Sequence, residues 1–178
     1  MSWTAPKTWV ANTVLSAAEM NEQVRDNLLQ TAPAKATAAG RLFVTTGLNA
    51  LAERVPTTAS VVASESTTSA SYTDLATAGP AVTVDTGTAA IVLLTAGLSN
   101  TNSAATAYAG FAVSGATTTA ASDVDAIYYQ ASAANAIGRQ SMHTMATVTG
   151  GSNTFTAKYR TTANTASFAR RVLTVVPL

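Results

Sequence analysis

Few side chains of this chain are equipped for chemistry, and their spacing limits what they do. His143 is the single histidine, set in Ser141-Met142-His143-Thr144-Met145, and there is no cysteine. The familiar zinc arrangements are therefore unavailable, and His143 reads as a strand residue beside Met142 and Met145. Asp123-Val124-Asp125 is the one carboxylate pair worth weighing. Alternate strand residues share a face, so the pair is placed to bind calcium or to act as acid and base, but calcium takes roughly six to eight oxygens and two carboxylates do not supply them. Gly150-Gly151-Ser152-Asn153 precedes a β-rich run and not a helix, so it reads as a turn. There is no phosphate loop, dinucleotide-binding glycine pattern or nucleophile elbow. These residues predict a protein that is not an enzyme, with no catalytic residue, cofactor or metal.

Binding chemistry is offered by Tyr128-Tyr129, followed by Gln130. An exposed aromatic beside a polar group is what a weak sugar site presents. Adjacent strand residues face opposite ways, so at least one of the two tyrosines is expected in a core.

Charge is scarce. Lys and Arg number 10, Asp and Glu 9, and charged residues are 11% of the chain against roughly a quarter in ordinary soluble domains. Every charge after Asp125 is basic, namely Arg139, Lys158, Arg160, Arg170 and Arg171, while Glu65, Asp74, Asp85, Asp123 and Asp125 make the middle acidic. Without a dense basic cluster this is no nucleic-acid groove, so the two sets are expected to meet within or between subunits, with Arg170 or Arg171 paired to an acid of a neighbouring chain.

A hydrophobic fraction of 47% and a net charge of +1 predict a chain that folds. Alanine and threonine supply more than a third of it, and residues 86–122 carry no charge, so a lone copy is sparsely solvated and partner subunits are the natural cover. Ile91-Val92-Leu93-Leu94 is far shorter than the roughly 20 residues a membrane helix needs, and the N-terminus lacks the basic-then-apolar order of an export signal. A soluble protein with no membrane insertion is expected.

Both tryptophans, Trp3 and Trp9, lie in the first ten residues. Ser16 and Glu19 have capping-box spacing, with Leu15 and Met20 placed as a hydrophobic staple. Met20, Val24 and Leu28 then recur at i, i+4 and i+8, a narrow apolar stripe on a helix that Pro33 should end near Gln30. Such a helix is marginal alone, so the stripe packs on its own domain or meets other copies or a larger particle; its seam-like width favours the second. Residues 40–46 and 51–55 flank the turn formers Gly47-Leu48-Asn49-Ala50 and predict a hairpin.

From Ser60 onward short β-rich runs alternate with Gly, Asn, Ser and Asp clusters. The runs are 60–64, 70–75, 81–85, 89–96, 107–114, 125–131, 139–148, 154–160 and 168–176, a spacing that predicts a sandwich or barrel. Phe155, Ala157 and Tyr159 should face one way and Thr154, Thr156, Lys158 and Arg160 the other. Ile91 to Leu94, and Val172-Leu173 with Val175-Val176, are apolar on both faces, which predicts cover by the opposite sheet on one side and another subunit on the other.

Thr8-Trp9-Val10, Leu15-Ser16-Ala17-Ala18-Glu19-Met20-Asn21 and Val24-Arg25-Asp26-Asn27-Leu28 together resemble the opening of tailed-bacteriophage virion structural proteins of the head-fibre, tail-fibre and minor-tail type. Asn12 stands near the place where that pattern usually carries a glycine. Residues 40–54 resemble a hairpin element of trimeric phage shafts, present here once. The resemblance implies a homotrimer on the virion surface, assembled in the host cytoplasm. It implies a mainly β chain: an anchoring arm and helix over 1–33, a hairpin connector over 34–59, and an antiparallel, jelly-roll-like sandwich knob over 60–178.

Trp3, Trp9, Met20, Val24, Arg25, Asp26 and Leu28 would make the virion or trimer contacts. One shaft-like element makes a short projection, so a head fibre or capsid decoration protein is favoured. The alternative is a tail-fibre or minor tail protein whose knob binds host-surface carbohydrate through Tyr128 or Tyr129. Expected partners are further copies of the chain and capsid or tail proteins.

Overall fold

The computed structural model describes residues 4–48 and 50–178. The chain forms two compact units, Met1–Val55 and Pro56–Leu178. It is mainly β, and every strand pair is antiparallel.

In the first unit Ser16 caps helix α1 (Ala17–Met20) with the expected reciprocal bonds: its hydroxyl accepts from the Glu19 backbone, and the Glu19 carboxylate accepts from the Ser16 N–H. The helix widens without a break into a π-helical stretch, Asn21–Asp26. Pro33 does not leave Ala32 extended, as expected from its usual effect on the preceding residue. It sits in the first turn of a second short helix, α2 (Ala32–Lys35), where its missing N–H has no helical partner to lose. The predicted hairpin is present as β1 (Leu42–Gly47) and β2 (Ala50–Arg54). Glu53 ties it to the chain before it by accepting from Thr37 N at 2.7 Å and Thr37 Oγ1 at 2.6 Å.

The second unit has nine strands: β3 (Thr57–Val61), β4 (Glu65–Thr67), β5 (Ala81–Thr86), β6 (Ala89–Asn100), β7 (Thr106–Gly115), β8 (Ala126–Gln130), β9 (Gly138–Thr147), β10 (Gly151–Thr161) and β11 (Ala166–Pro177). One sheet runs β5-β10-β7-β8; the other runs β3-β11-β6-β9, with β4 also on β11. Their inner faces share one core that includes Val82, Phe155 and Tyr159 from the first sheet and Val92, Leu94, Phe168 and Leu173 from the second. Strand alternation explains the membership. Phe155, Ala157 and Tyr159 are fully buried while Thr154, Thr156, Lys158 and Arg160 are half-buried on the other side, as the sequence predicts.

Three expectations need revision. The 70–75 run is no strand: only Thr73 bridges, to Tyr159. Ser69 Oγ donates to Ser71 O at 2.7 Å and accepts from Ser71 N, a local turn that competes with the ladder. The 150–153 turn is shorter than expected, because β10 starts at Gly151, whose φ of 135° suits glycine. The junction expected at residue 59 falls inside β3, which pairs with β11 from Thr57.

A bulge in β11 sets one of the fully buried polar features. Pairing with β6 shifts between Ala169 and Val172, and Arg170 adopts φ 50°. Burial follows the even positions Ala166 and Phe168 before the bulge and the odd positions Arg171, Leu173 and Val175 after it. The extra residue thereby aims Arg171 into the interior. There its Nη2 donates to Glu65 at 2.9 Å, Nη1 donates to Gly79 O at 3.3 Å, and the guanidinium lies 5.3 Å from the Tyr159 ring centre. Hydrogen bonds from Thr77 first, and the Arg171 contact after them, set the Glu65 carboxyl below its usual range against the opposing effect of burial. Arg171→Ala would remove the bonds to Glu65, Thr77 O and Gly79 O and leave a cavity where a fully buried side chain stood, and should cost about 2–5 kcal/mol of unfolding free energy. Glu65→Gln, which keeps a hydrogen-bond acceptor beside the guanidinium, should cost less; denaturant unfolding at fixed protein concentration ranks the two.

Candidate functional site

In the first unit the N-terminal arm lies along the helix, held by side chains spaced four apart. Asn27, buried to 4% exposure, accepts from Thr4 N at 2.9 Å and donates to Thr4 O at 3.2 Å. Gln23 accepts from Lys7 N at 2.8 Å, and the Lys7 ammonium pairs with Glu19. Lys7 Nζ also lies 5.2 Å from the Trp9 ring centre. Residues 19, 23 and 27 thus form a polar rail that grips the arm, and the apolar stripe is one position further round.

Trp9, Val10, Thr13, Leu15, Met20 and Val24 line a groove of about 360 Å³. Of the residues expected to make virion or trimer contacts, Trp9, Met20 and Val24 are therefore brought together, each still more than two-fifths exposed. Leu28 is exposed and does not line the groove. Arg25 and Asp26 pair with each other at 2.7 Å on the surface. Trp3 lies outside the described residues. Asn27 and Gln23 carry the arm and were not singled out from sequence; their spacing with Glu19, parallel to Met20 and Val24, was the available signal.

In the second unit the outer face of the β3-β11-β6-β9 sheet is open. Cross-strand pairing sets Val176 beside Ile91 and Met145, and Thr174 beside Leu93 and then His143, with Val172 in the next row. Leu93 is 39% exposed and Met145 64%. Thr58 bonds Thr174 at 2.8 Å and Thr95 bonds Ser141 at 2.9 Å, so the hydroxyls of this face satisfy each other. No Asp, Glu, Lys or Arg occupies these rows. The side of Ile91–Leu94 turned to the opposite sheet is fully buried at Val92 and Leu94; the side assigned to another subunit is uncovered in a single chain.

Most expected charge partners meet inside the chain. Lys158 pairs with Asp74 at 2.7 Å, Arg160 with Asp123, and Arg171 with Glu65. For Arg171 this replaces the neighbouring-chain acid expected from sequence: the bulge turns it inward, where only its own chain reaches it. Arg170 stays exposed and, with Arg139 and Ile137, flanks a groove of about 310 Å³. Asp123 is committed to Arg160 and Tyr72, and Asp125 accepts from Thr144 at 2.9 Å. His143 is an exposed strand residue opposite Leu93. Among the described residues no three His, Asp or Glu side chains converge as a metal site. Tyr128 faces solvent, whereas Tyr129 packs against the core and over Gly138, where a Cβ would fall 2.4 Å from its ring.

The arm clasp has a definite pH response. The hydrogen bond from Lys7, followed by those from Ser16, lowers the Glu19 pKa from 4.5 to about 2. A carboxyl depressed in the folded state stabilises above its unfolded pKa, so the Glu19 contribution is complete above about pH 4.5 and disappears as pH falls through about 2. The Trp9 indole resonance should therefore hold constant at neutral pH and move in that acid window. Asn27→Ala should loosen the arm at neutral pH, by about 1–2 kcal/mol for its two arm bonds, and shift the same resonance. Comparison with protein-family models finds none that matches this chain, and comparison with curated proteins likewise finds no match.

Proposed function

We propose that this chain is a non-enzymatic virion appendage of a tailed bacteriophage, a homotrimeric head fibre or capsid decoration protein. Its first unit anchors it, and its second unit is a jelly-roll-like knob on the particle surface. The observation that carries self-association is the part of the outer face of the β3-β11-β6-β9 sheet centred on Ile91, Leu93 and Met145, whose rows carry no Asp, Glu, Lys or Arg; Arg139 and Arg170 stand at its border. Its paired hydroxyls lower the cost of removing it from water, and large exposed apolar patches mark interaction sites. Arg170, exposed beside this sheet, would pair with an acid of the neighbouring copy, for which Asp85 is an exposed candidate.

The virion assignment rests on the resemblance of residues 8–28 to phage structural proteins. The groove of Trp9, Met20 and Val24 supports it by offering a particle an apolar, arm-bounded surface at the opposite end of the sequence from the knob.

Sedimentation equilibrium of the full chain should give three copies of the 18.0 kDa polypeptide at micromolar concentration. Leu93→Asp should shift that mass toward the monomer with the core still folded, since Leu93 points away from it. A wild-type monomer would overturn the trimer. Val24→Asp should abolish attachment to tail-less capsids without changing the melting of the second unit; attachment to isolated tails alone would move the site of anchoring from head to tail.

A further inference from the structure

The outer face of the β5-β10-β7-β8 sheet carries a different surface. Register places Tyr128 beside Tyr108 and Tyr108 beside Arg160 in one cross-strand row. The two rings are 5.8 Å apart and tilted by 32°, and the Arg160 guanidinium sits 4.0 Å from the Tyr108 ring centre. Asp123 fixes that guanidinium, accepting from Nε at 2.9 Å and from Nη2, and also accepts from the Tyr72 hydroxyl at 2.9 Å. Tyr72 lies so close over Gly110 that a Cβ there would come within 3.3 Å of its ring. The row is thus a braced aromatic platform whose outer end, Tyr128, is 65% exposed.

The chemistry left uncommitted is specific. The charges at this site cancel in pairs, Arg160 with Asp123 and Lys158 with Asp74. Among the described residues the hydroxyls of Tyr108 and Tyr128 and the side-chain amide of Gln130 make no hydrogen bond. Phenol and amide both donate and accept, as sugar hydroxyls do. A nucleic-acid backbone would need free cations that this surface lacks. A flat ring face with neutral polar groups around it matches the C–H face of a pyranose.

We propose that Tyr128, on the Tyr108–Arg160 platform, is the stacking residue of a binding site for neutral saccharides, with Gln130 and the two phenols meeting the sugar hydroxyls. The platform is buttressed by Tyr72 and Asp123, which position it. This site is on the opposite side of the sandwich from the self-association face and does not depend on the virion assignment. A shallow site binds weakly one sugar at a time, and display in several copies raises its avidity.

The full chain is applied to an array of glucose-, galactose-, mannose- and N-acetylglucosamine-terminated oligosaccharides, with sialylated glycans and a proline-rich peptide alongside; any neutral oligosaccharide bound is then titrated in solution by saturation-transfer NMR. At least one neutral glycan should bind. Tyr128→Ala should weaken its solution affinity at least tenfold with melting temperature and oligomer mass unchanged, and Gln130→Ala, at an exposed position outside the core, should weaken it less. Absence of neutral-glycan binding, binding confined to sialylated glycans or the peptide, or wild-type affinity in both variants would overturn the proposal. Leu93→Asp separates the two readings: loss of array signal with unchanged solution affinity reports lost avidity, so failure of self-association and failure of the sugar site register differently.

Discussion

A β-sheet has two faces, and the second unit has one core in which to hide them. The inner faces of its two sheets meet around Phe155, Tyr159, Phe168 and Leu173, leaving two outer faces to be made presentable with very few charges. The two sheets do this differently. Thr154, Thr156, Lys158 and Arg160 line the outside of β10, and its charges are neutralised in place by Asp74 and Asp123. The other sheet exposes Leu93 and Met145 beside half-buried Ile91, among hydroxyls that bond each other, a surface better suited to another protein than to water.

Scarcity of charge also shapes the interior. Arg171 enters the core because a single bulge changes the phase of β11, and the chain accommodates it with Glu65, a backbone carbonyl and an aromatic ring together. Such a guanidinium is costly to bury, and while Nη1 and Nη2 are used, Nε is buried without a hydrogen-bond partner among the described residues, so its surroundings are specified more tightly than those of an apolar neighbour. It joins the β4 edge, the chain around Gly79 and the last strand into one fixture. Asn153 plays a comparable part near the start of β10: fully buried, it donates to Thr86 Oγ1 at 2.8 Å and to Thr149 O at 2.9 Å, and accepts from Thr117 N.

The first unit obeys another logic. Its helix is too short to be stable alone, and much of what steadies it is the arm clasped to its polar rail. Clasping the arm through Glu19, Gln23 and Asn27 leaves the adjacent apolar positions Met20 and Val24 uncovered beside Trp9. Internal stabilisation and an open apolar groove therefore use neighbouring stripes of one helix and do not compete for the same residues.

Local rules made much of this legible beforehand. The capping box at Ser16 and Glu19, the hairpin over 42–54, the alternation through 154–160 and most β runs depend on near-neighbour chemistry and period, which a sequence displays directly. It also displays the shortage of charge and the two-faced apolar runs that ask for a partner. What only the tertiary structure decided are matters of register and long-range pairing. These include the bulge that sends Arg171 inward and leaves Arg170 outside, the loss of a strand at 70–75 to a serine turn, the choice of Tyr128 over Tyr129 for solvent, and the row joining Tyr128, Tyr108 and Arg160. A shift of one residue in a strand exchanges its two faces, and nothing in the neighbouring sequence records which partner strand will set that phase.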